Sequence, residues 1–251
     1  MAVLKAGAYG HGIEAIAKAL DEENLTYFGV ASVIEARKLK HAGVHTPIYL
    51  LGPTFAEERQ EIVEQRWTPS VSTIEEAEHF NTLNQGKKKI AVHITLDTGM
   101  GRGGFLTNAL RSAIQHIQTL PNIQIAGIGS HLPSADEDRD FTLRQFSHFE
   151  AAVSNYAFKY LHLSNSAGLL DYTSSVTNLV RPGLMLYGIS PLKKYQARLL
   201  PVMTLKSRVS LVRTLPAGHG VSYGRDTILK QDTRVATIGA GYGDGYPRSL
   251  S

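Results

Sequence analysis

Residues 90–131 read IAVHITLDTGMGRGGFLTNALRSAIQHIQTLPNIQIAGIGSH. An apolar run, Ile90 to Leu96, gives way to a glycine-rich polar loop. An amphipathic stretch from Asn108 to Thr119 follows, and a second apolar run, Ile125 to Ser130, closes the segment. The two runs have the length of strands and the middle has helical spacing; a helix between two strands is the usual crossover of a parallel pair. Each run hands over to polar residues, Asp97 to Arg102 after the first and His131 after the second.

The same unit recurs along the chain. Further strands are expected at Ala2 to Lys5, Tyr27 to Ala31, Ile48 to Leu51, Pro69 to Ser72, Tyr160 to Leu163 and Asn178 to Val180. Helices are expected at Ile13 to Asp21, Ile34 to Ala42, Ala56 to Gln65, Ile74 to Leu83 and Asp138 to Phe158. This alternation gives an α/β protein, and a closed (β/α)8 barrel of the TIM type fits it better than an open doubly wound sheet. Barrel chemistry gathers at the carboxyl ends of strands. Polar residues stand there in series: Lys5 after AVL, His131 after IAGIGS, Ser164 to Ser166 after YLHL, and Arg181 after NLV. From about residue 199 the texture changes to alternating apolar and polar residues with Gly and Pro at turns, so the barrel is expected over 1–198 and the beginning of a β-strand-rich domain over 199–251. A β-segment this short is marginal alone, and the chain reads as a fragment truncated at its C-terminus.

Composition removes several function classes. With no cysteine, disulfides, thiol catalysis and thiolate metal sites are excluded. The 26 basic residues are scattered among 22 acidic ones, and the one tight run, Lys87 to Lys89, reads as a solvated loop rather than a nucleic-acid surface. No apolar run approaches the ~20 residues of a membrane span, and no secretory leader is evident, so a cytoplasmic location and no membrane partner are expected. The ten histidines show no zinc spacing, and GxSxG and GxxxxGK[ST] are absent. No metal is expected.

Taken singly, the rim residues have ordinary readings too. Lys5 in AVLKAGAYGHG (2–12) is either a snorkelling rim lysine or an amine able to form a Schiff base, with Gly7, Gly10 and Gly12 permitting close backbone approach and Tyr9 adding a hydroxyl. In LDTGMGRGG (96–104), Arg102 either grips an anionic group or pairs with Asp97 to hold the loop. HLSNSAG (162–168) is a helix cap or a phosphate cradle. His131 is a base or a satisfied polar residue. Tyr223 and Tyr242 lie in the β-segment between glycines that leave their rings accessible.

Together, AVLKAGAYGHG, LDTGMGRGG, HLSNSAG, VRPGLMLYG, VSYG and GYGDGYPR resemble the alanine racemases, in the same order and over almost the whole chain. The resemblance implies a pyridoxal 5'-phosphate enzyme that interconverts L- and D-alanine, supplying D-alanine for peptidoglycan. Lys5 would carry the cofactor as a Schiff base and act as one catalytic base. Tyr223 would be the opposite acid/base, reaching the partner's site in a homodimer. Arg181 would face the pyridine nitrogen, and Tyr9, Ser166, Gly183 and Leu184 would hold the phosphate. His131 and Asn165 would lie close to the cofactor, Arg102 near the substrate carboxylate and Tyr242 near the substrate entrance.

The sequence departs from the family pattern in three places. Gly7 stands where Asp or Asn is usual, GYGDG where GYADG is usual, and Thr95 where many members carry a lysine, often carbamylated, that orients the arginine. Another group or a bound anion must then position Arg102. Rival readings are a non-catalytic pyridoxal-phosphate carrier, which would need neither Tyr223 nor the β-domain, a racemase of serine or lysine, and an aldolase or decarboxylase relative.

Overall fold

The computed structural model describes residues 1–86, 88–247 and 249. Lys87 of the basic run and Arg248 of GYGDGYPR lie outside the described residues. Two compact units, Met1–Val202 and Met203–Ser251, make up the chain.

In the first unit, strands and helices alternate. They are β1 (Ala2–Val3), α1 (Lys5–Tyr9), α2 (Ile13–Asp21), β2 (Phe28–Val30), α3 (Val33–His41), β3 (Ile48–Leu50), α4 (Arg59–Glu64), β4 (Thr68–Val71) and α5 (Ile74–Leu83), followed by β5 (Ile90–Asp97), β6 (Phe105–Leu106), α6 (Leu110–Gln118), β7 (Ile123–Gly129), α7 (Arg139–Val153), β8 (Tyr160–His162) and α8 (Ser166–Asp171). Strands pair in the order β1-β2-β3-β4-β5-β7-β8, all parallel, with the short β6 beside the end of β5. The sheet closes through residues 179–182. Leu179 bridges His162 in parallel, the Arg181 N–H donates to the Ser164 carbonyl at 2.9 Å, and on the other side the Val3 N–H donates to the Pro182 carbonyl at 3.0 Å. The expected eighth strand is thus present as a single bridge and flanking backbone bonds, because Pro182 has no N–H to continue a ladder. The barrel reading of the sequence stands.

Short polar side chains cap four of the helices. Ser32 caps α3 through the Glu35 N–H, Thr73 caps α5 through the Glu76 N–H, Asp138 caps α7 through the Phe141 N–H, and Asn165 caps α8 through the Gly168 N–H. Several bounds differ from the sequence reading. α7 ends at Val153 rather than Phe158, β7 begins at Ile123 rather than Ile125, and β1 stops at Val3, so Lys5 opens the turn after the strand instead of ending it.

Two cores hold the barrel. The larger, including Leu4, Phe28, Val30, Phe80, Ile94, Ile128 and Phe149, fills the space between strands and helices. Inside the barrel, Met1, Tyr27, Tyr49 and Leu179 pack together, and the rings of His93, His162 and Tyr160 meet one another and the two tyrosines edge-on, tilted or stacked at centroid distances of 4.9 to 5.9 Å. Gly129 makes room for this layer: a methyl there would occupy the His162 ring. Among the described residues no helix is long and apolar enough to cross a membrane.

The second unit contains β9 (Val209–Leu215), β10 (Gly220–Val221), β11 (Thr227–Ile228) and β12 (Thr233–Ile238). β9 pairs antiparallel with β12, and β10 with β11, as the alternating tail of the sequence implies. Tyr223 and Tyr242 are not on strands: each opens a 3-10 turn, Tyr223–Arg225 and Tyr242–Asp244, and both are exposed.

Candidate active site

A single left-handed turn places Lys5. After Leu4, residues Ala6, Gly7, Ala8 and Tyr9 have φ of 54°, 63°, 57° and 52°. Each non-glycine in that region costs about 1–2 kcal/mol, so the surrounding packing must hold the turn closed. The turn ends with bonds from the Gly10 N–H to the Ala6 carbonyl and from the His11 N–H to the Ala8 carbonyl, both 3.0 Å. Its effect is to reverse the chain at the barrel rim, so that Lys5 and Tyr9 both line one cavity.

That cavity, about 630 Å³, sits over the carboxyl ends of the strands. Its wall carries Lys5, Tyr9, Arg102, His131, Asn165, Ser166, Arg181, Gly183 and Leu184, together with Tyr49, Thr95, Ser130, Asp136 and His162. Nine residues expected from the sequence therefore meet in one place. The volume is that of a small-molecule site.

One corner is built for an anion. The Ser166 hydroxyl accepts from the Gly183 N–H at 3.0 Å and from the Met185 N–H at 3.3 Å, which leaves its own proton free to be donated. The Tyr9 hydroxyl reaches the space over Gly183 that a Cβ would fill. Burial pushes the Tyr9 phenol up, keeping it a donor. Tyr187 backs this corner: its ring lies 5.1 Å from that of Tyr9 and its hydroxyl donates to the Val3 carbonyl at 3.0 Å.

The floor is a buried arginine on a chain of imidazoles. Arg181 donates from Nη1 to His162 Nδ1, and from Nη2 to the carbonyls of Ser130 and Leu163, the latter at 3.1 Å; His131 Nδ1 lies 3.3 Å from the same nitrogen. Because His162 Nδ1 accepts, its proton is on Nε2, which donates to His93 Nδ1 at 2.8 Å. His93 must then carry its proton on Nε2, a buried atom with no partner among the described residues. Burial brings the Arg181 guanidinium down to about 10, so it remains charged at neutral pH. Burial and the Arg181 charge hold His93 at about 3 and His162 well below the usual imidazole range. Burial, then Arg181, Arg102 and Lys5, hold His131 at about 3, which makes it a neutral acceptor rather than a base near neutral pH.

These histidines set an acid limit on stability. In the unfolded chain an imidazole titrates near ~6.5. In the fold His93 takes its proton only near pH 3, so between those values the unfolded state binds more protons and stability falls as pH falls. His93 alone accounts for a loss of about 2 kcal/mol between pH 8 and pH 5, and His131 adds in the same direction. Asp21, held far below the usual carboxylate range by its bonds to His45 and Thr46, titrates beneath this window. Urea unfolding at the two pH values measures the drop; equal midpoints would show that the imidazoles are not buried neutral.

The other expected residues are placed as follows. Asp97 does not pair with Arg102: its carboxylate accepts from the N–H groups of Gly99, Met100 and Gly101 at 2.8 to 3.2 Å and folds the loop on itself. No hydrogen bond or ion pair among the described residues ties the exposed Arg102 guanidinium, and Thr95 turns its methyl toward Gly104. Asn165 uses its side chain at both ends, accepting from the Gly168 N–H and donating to the Leu132 carbonyl at 2.9 Å, so it ties two loops at the cavity wall. Tyr223 and Tyr242 belong to the second unit.

Several residues escaped the sequence reading. His93 and His162 are the inward-facing positions of β5 and β8; His162 entered the sequence reading only as the first residue of HLSNSAG, and the one signal for His93 was a polar residue inside an apolar run. Gln145 on α7 donates to the Thr98 hydroxyl at 3.3 Å and the His131 carbonyl at 3.1 Å, while Thr98 meets Ser130 at 2.8 Å. Such a network joins elements far apart in sequence and has no local pattern.

Residues 1–191 match the family model of the alanine racemase N-terminal domain, and residues 202–251 that of the C-terminal domain. An alanine racemase of Methylacidiphilum infernorum is 38% identical over 255 residues, covering 100% of this chain and 65% of its own length. One from Carboxydothermus hydrogenoformans is also 38% identical, with 71% of its length covered. The solved alanine racemase of Clostridium difficile 630 superimposes with a TM-score of 0.89 at 32% identity, over 98% of this chain and 67% of that one. The chain thus spans about two thirds of the length of these relatives.

Proposed function

This chain belongs to the alanine racemase family, and we propose that the protein binds pyridoxal 5'-phosphate and interconverts L- and D-alanine. The observation that carries this reading is the convergence, in one cavity, of an amine (Lys5), a donor corner (the hydroxyls of Tyr9 and Ser166, beside Gly183) and a buried cation (Arg181) from separate strand ends. These residues fit a flat phosphorylated pyridine aldehyde. Lys5 would hold the aldehyde carbon, Tyr9, Ser166, Gly183 and Leu184 the phosphate, and Arg181 the ring nitrogen. His131 and Asn165 would flank the ring, Arg102 would receive the substrate carboxylate, and Tyr242 would stand at the entrance.

When bound, the cofactor supplies an electron sink that makes the substrate α-proton removable near neutral pH. The chain's residues then decide where protons go. Arg181 is anchored to carbonyls and neutral imidazoles and keeps its own proton, so it would offer a ring nitrogen held there a hydrogen bond but no proton to take. We infer that this limits side reactions such as transamination. Racemisation needs acid/base groups on opposite faces of the α-carbon. Lys5 serves one face, and Tyr223, exposed at the surface of its unit, serves the other in a second copy of the chain within a homodimer. D-alanine for peptidoglycan is the corresponding cellular role. A cytoplasmic location is part of the same proposal, and with no cysteine the chain requires no oxidising compartment.

The test is Tyr223→Phe in the complete protein. It is expected to bind cofactor normally and to lose racemisation by about 10²–10⁴-fold, the usual contribution of a positioned proton donor, with the larger loss for L-alanine as substrate. Full activity in this variant would remove Tyr223 from the mechanism. Cofactor binding by the unmodified protein without turnover of alanine would point instead to a carrier, and faster turnover of serine or lysine would change the substrate.

A further inference from the structure

A carboxylate outside the cavity holds the turn that presents Lys5. Glu35 occupies the third position of α3, where a glutamate commonly returns to the amide of the capping residue, here Ser32. It does not do so. One carboxylate oxygen accepts from the Ala31 N–H at 2.9 Å, and the other crosses to the Ala6 N–H at 2.6 Å, a residue 29 positions earlier. Ala6 is the first left-handed residue after Lys5, and Ala31 lies on the cavity wall directly after β2. The clamp therefore ties the start of the strained turn to the neighbouring strand end. Both bonds are charge-assisted, the strong kind of hydrogen bond.

We propose that Glu35 is a positioning residue for Lys5, fixing the left-handed turn so that the lysine amine is aimed into the cavity. The proposal rests on the reading of Lys5 as the cofactor-binding amine. Neutral glutamine is nearly the same shape but has one acceptor and one donor, so it satisfies only one of the two amides and opposes its NH₂ to the other. Aspartate keeps both acceptors on a shorter stem.

Two measurements on the full chain decide it. Hydrogen exchange followed by mass spectrometry reads the segments 5–9 and 28–32 without cofactor. Brief exposure to pyridoxal phosphate followed by borohydride reduction and peptide mapping reads the rate of capture at Lys5. In Glu35→Gln and Glu35→Ala, exchange at 5–9 is expected to rise and capture at Lys5 to slow, each by about tenfold for the loss of one charge-assisted bond, while exposed lysines label as before. Glu35→Asp is expected to recover part of both. Unchanged exchange in Glu35→Ala overturns the clamp, and faster exchange with unchanged capture overturns the positioning role. If the unmodified chain is not captured at Lys5 at all, the cofactor reading fails, and exchange at 5–9 alone then upholds or overturns the clamp.

Discussion

In a Lys5→Ala variant, the long-wavelength absorbance of protein-bound pyridoxal phosphate is expected to disappear, borohydride to fix no label on the peptide 2–12, and racemisation of alanine to fall below detection. The fold should survive the change. Lys5 is half-buried, makes no hydrogen bond with other described residues, and is not among the residues at positive φ, so unfolding should shift by no more than about 0.5 kcal/mol. Loss of function without loss of stability separates a chemical role from a structural one. Lys5 is the single lysine on the cavity wall among the described residues, so no neighbouring amine is placed to replace it. An unchanged absorbance band in the variant would mean that another lysine holds the cofactor.

Lys5 also shows how far the sequence could be read. Its place just after an apolar run marked it as a rim residue, and the same signal located His131, Ser166 and Arg181, because strand ends are written in local composition. The left-handed turn that follows was not legible: Ala6, Ala8 and Tyr9 are ordinary residues for a right-handed helix, and only tertiary contacts such as the Glu35 clamp hold them at positive φ. The same limit hid the partner of Asp97. Sequence offered Arg102 five residues on, but three amides of the intervening loop lie closer to the carboxylate. The eighth strand was legible as an apolar run, but its irregular hydrogen bonding follows from closing a barrel through a proline.

The buried floor yields the second large effect. Arg181→Met keeps length and most of the volume but removes every donor at once. The carbonyls of Ser130 and Leu163 and the His162 Nδ1 atom are left as buried acceptors, while the His162 carbonyl keeps the Ser130 N–H at 3.0 Å. Unpartnered buried acceptors cost about 1–3 kcal/mol each before relaxation, and a total loss of about 3–5 kcal/mol is expected, lowering the thermal midpoint of a domain this size by roughly 10–15 °C. The charge leaves a second signature. Arg181 is, after burial, the main cause of the depressed pKa values of His93, His131 and His162, so without it all three move toward the unfolded value. The difference in proton binding between folded and unfolded states then shrinks, and the stability lost between pH 8 and pH 5 should be smaller in the variant than in the parent. Arg181→Lys retains the charge but not the planar fork, so it should keep the parent's pH dependence while losing much of its stability at pH 8. If Met and Lys variants show the same pH dependence, the imidazoles are held neutral by burial alone, and the arginine charge has no part in keeping protons off the floor of the site.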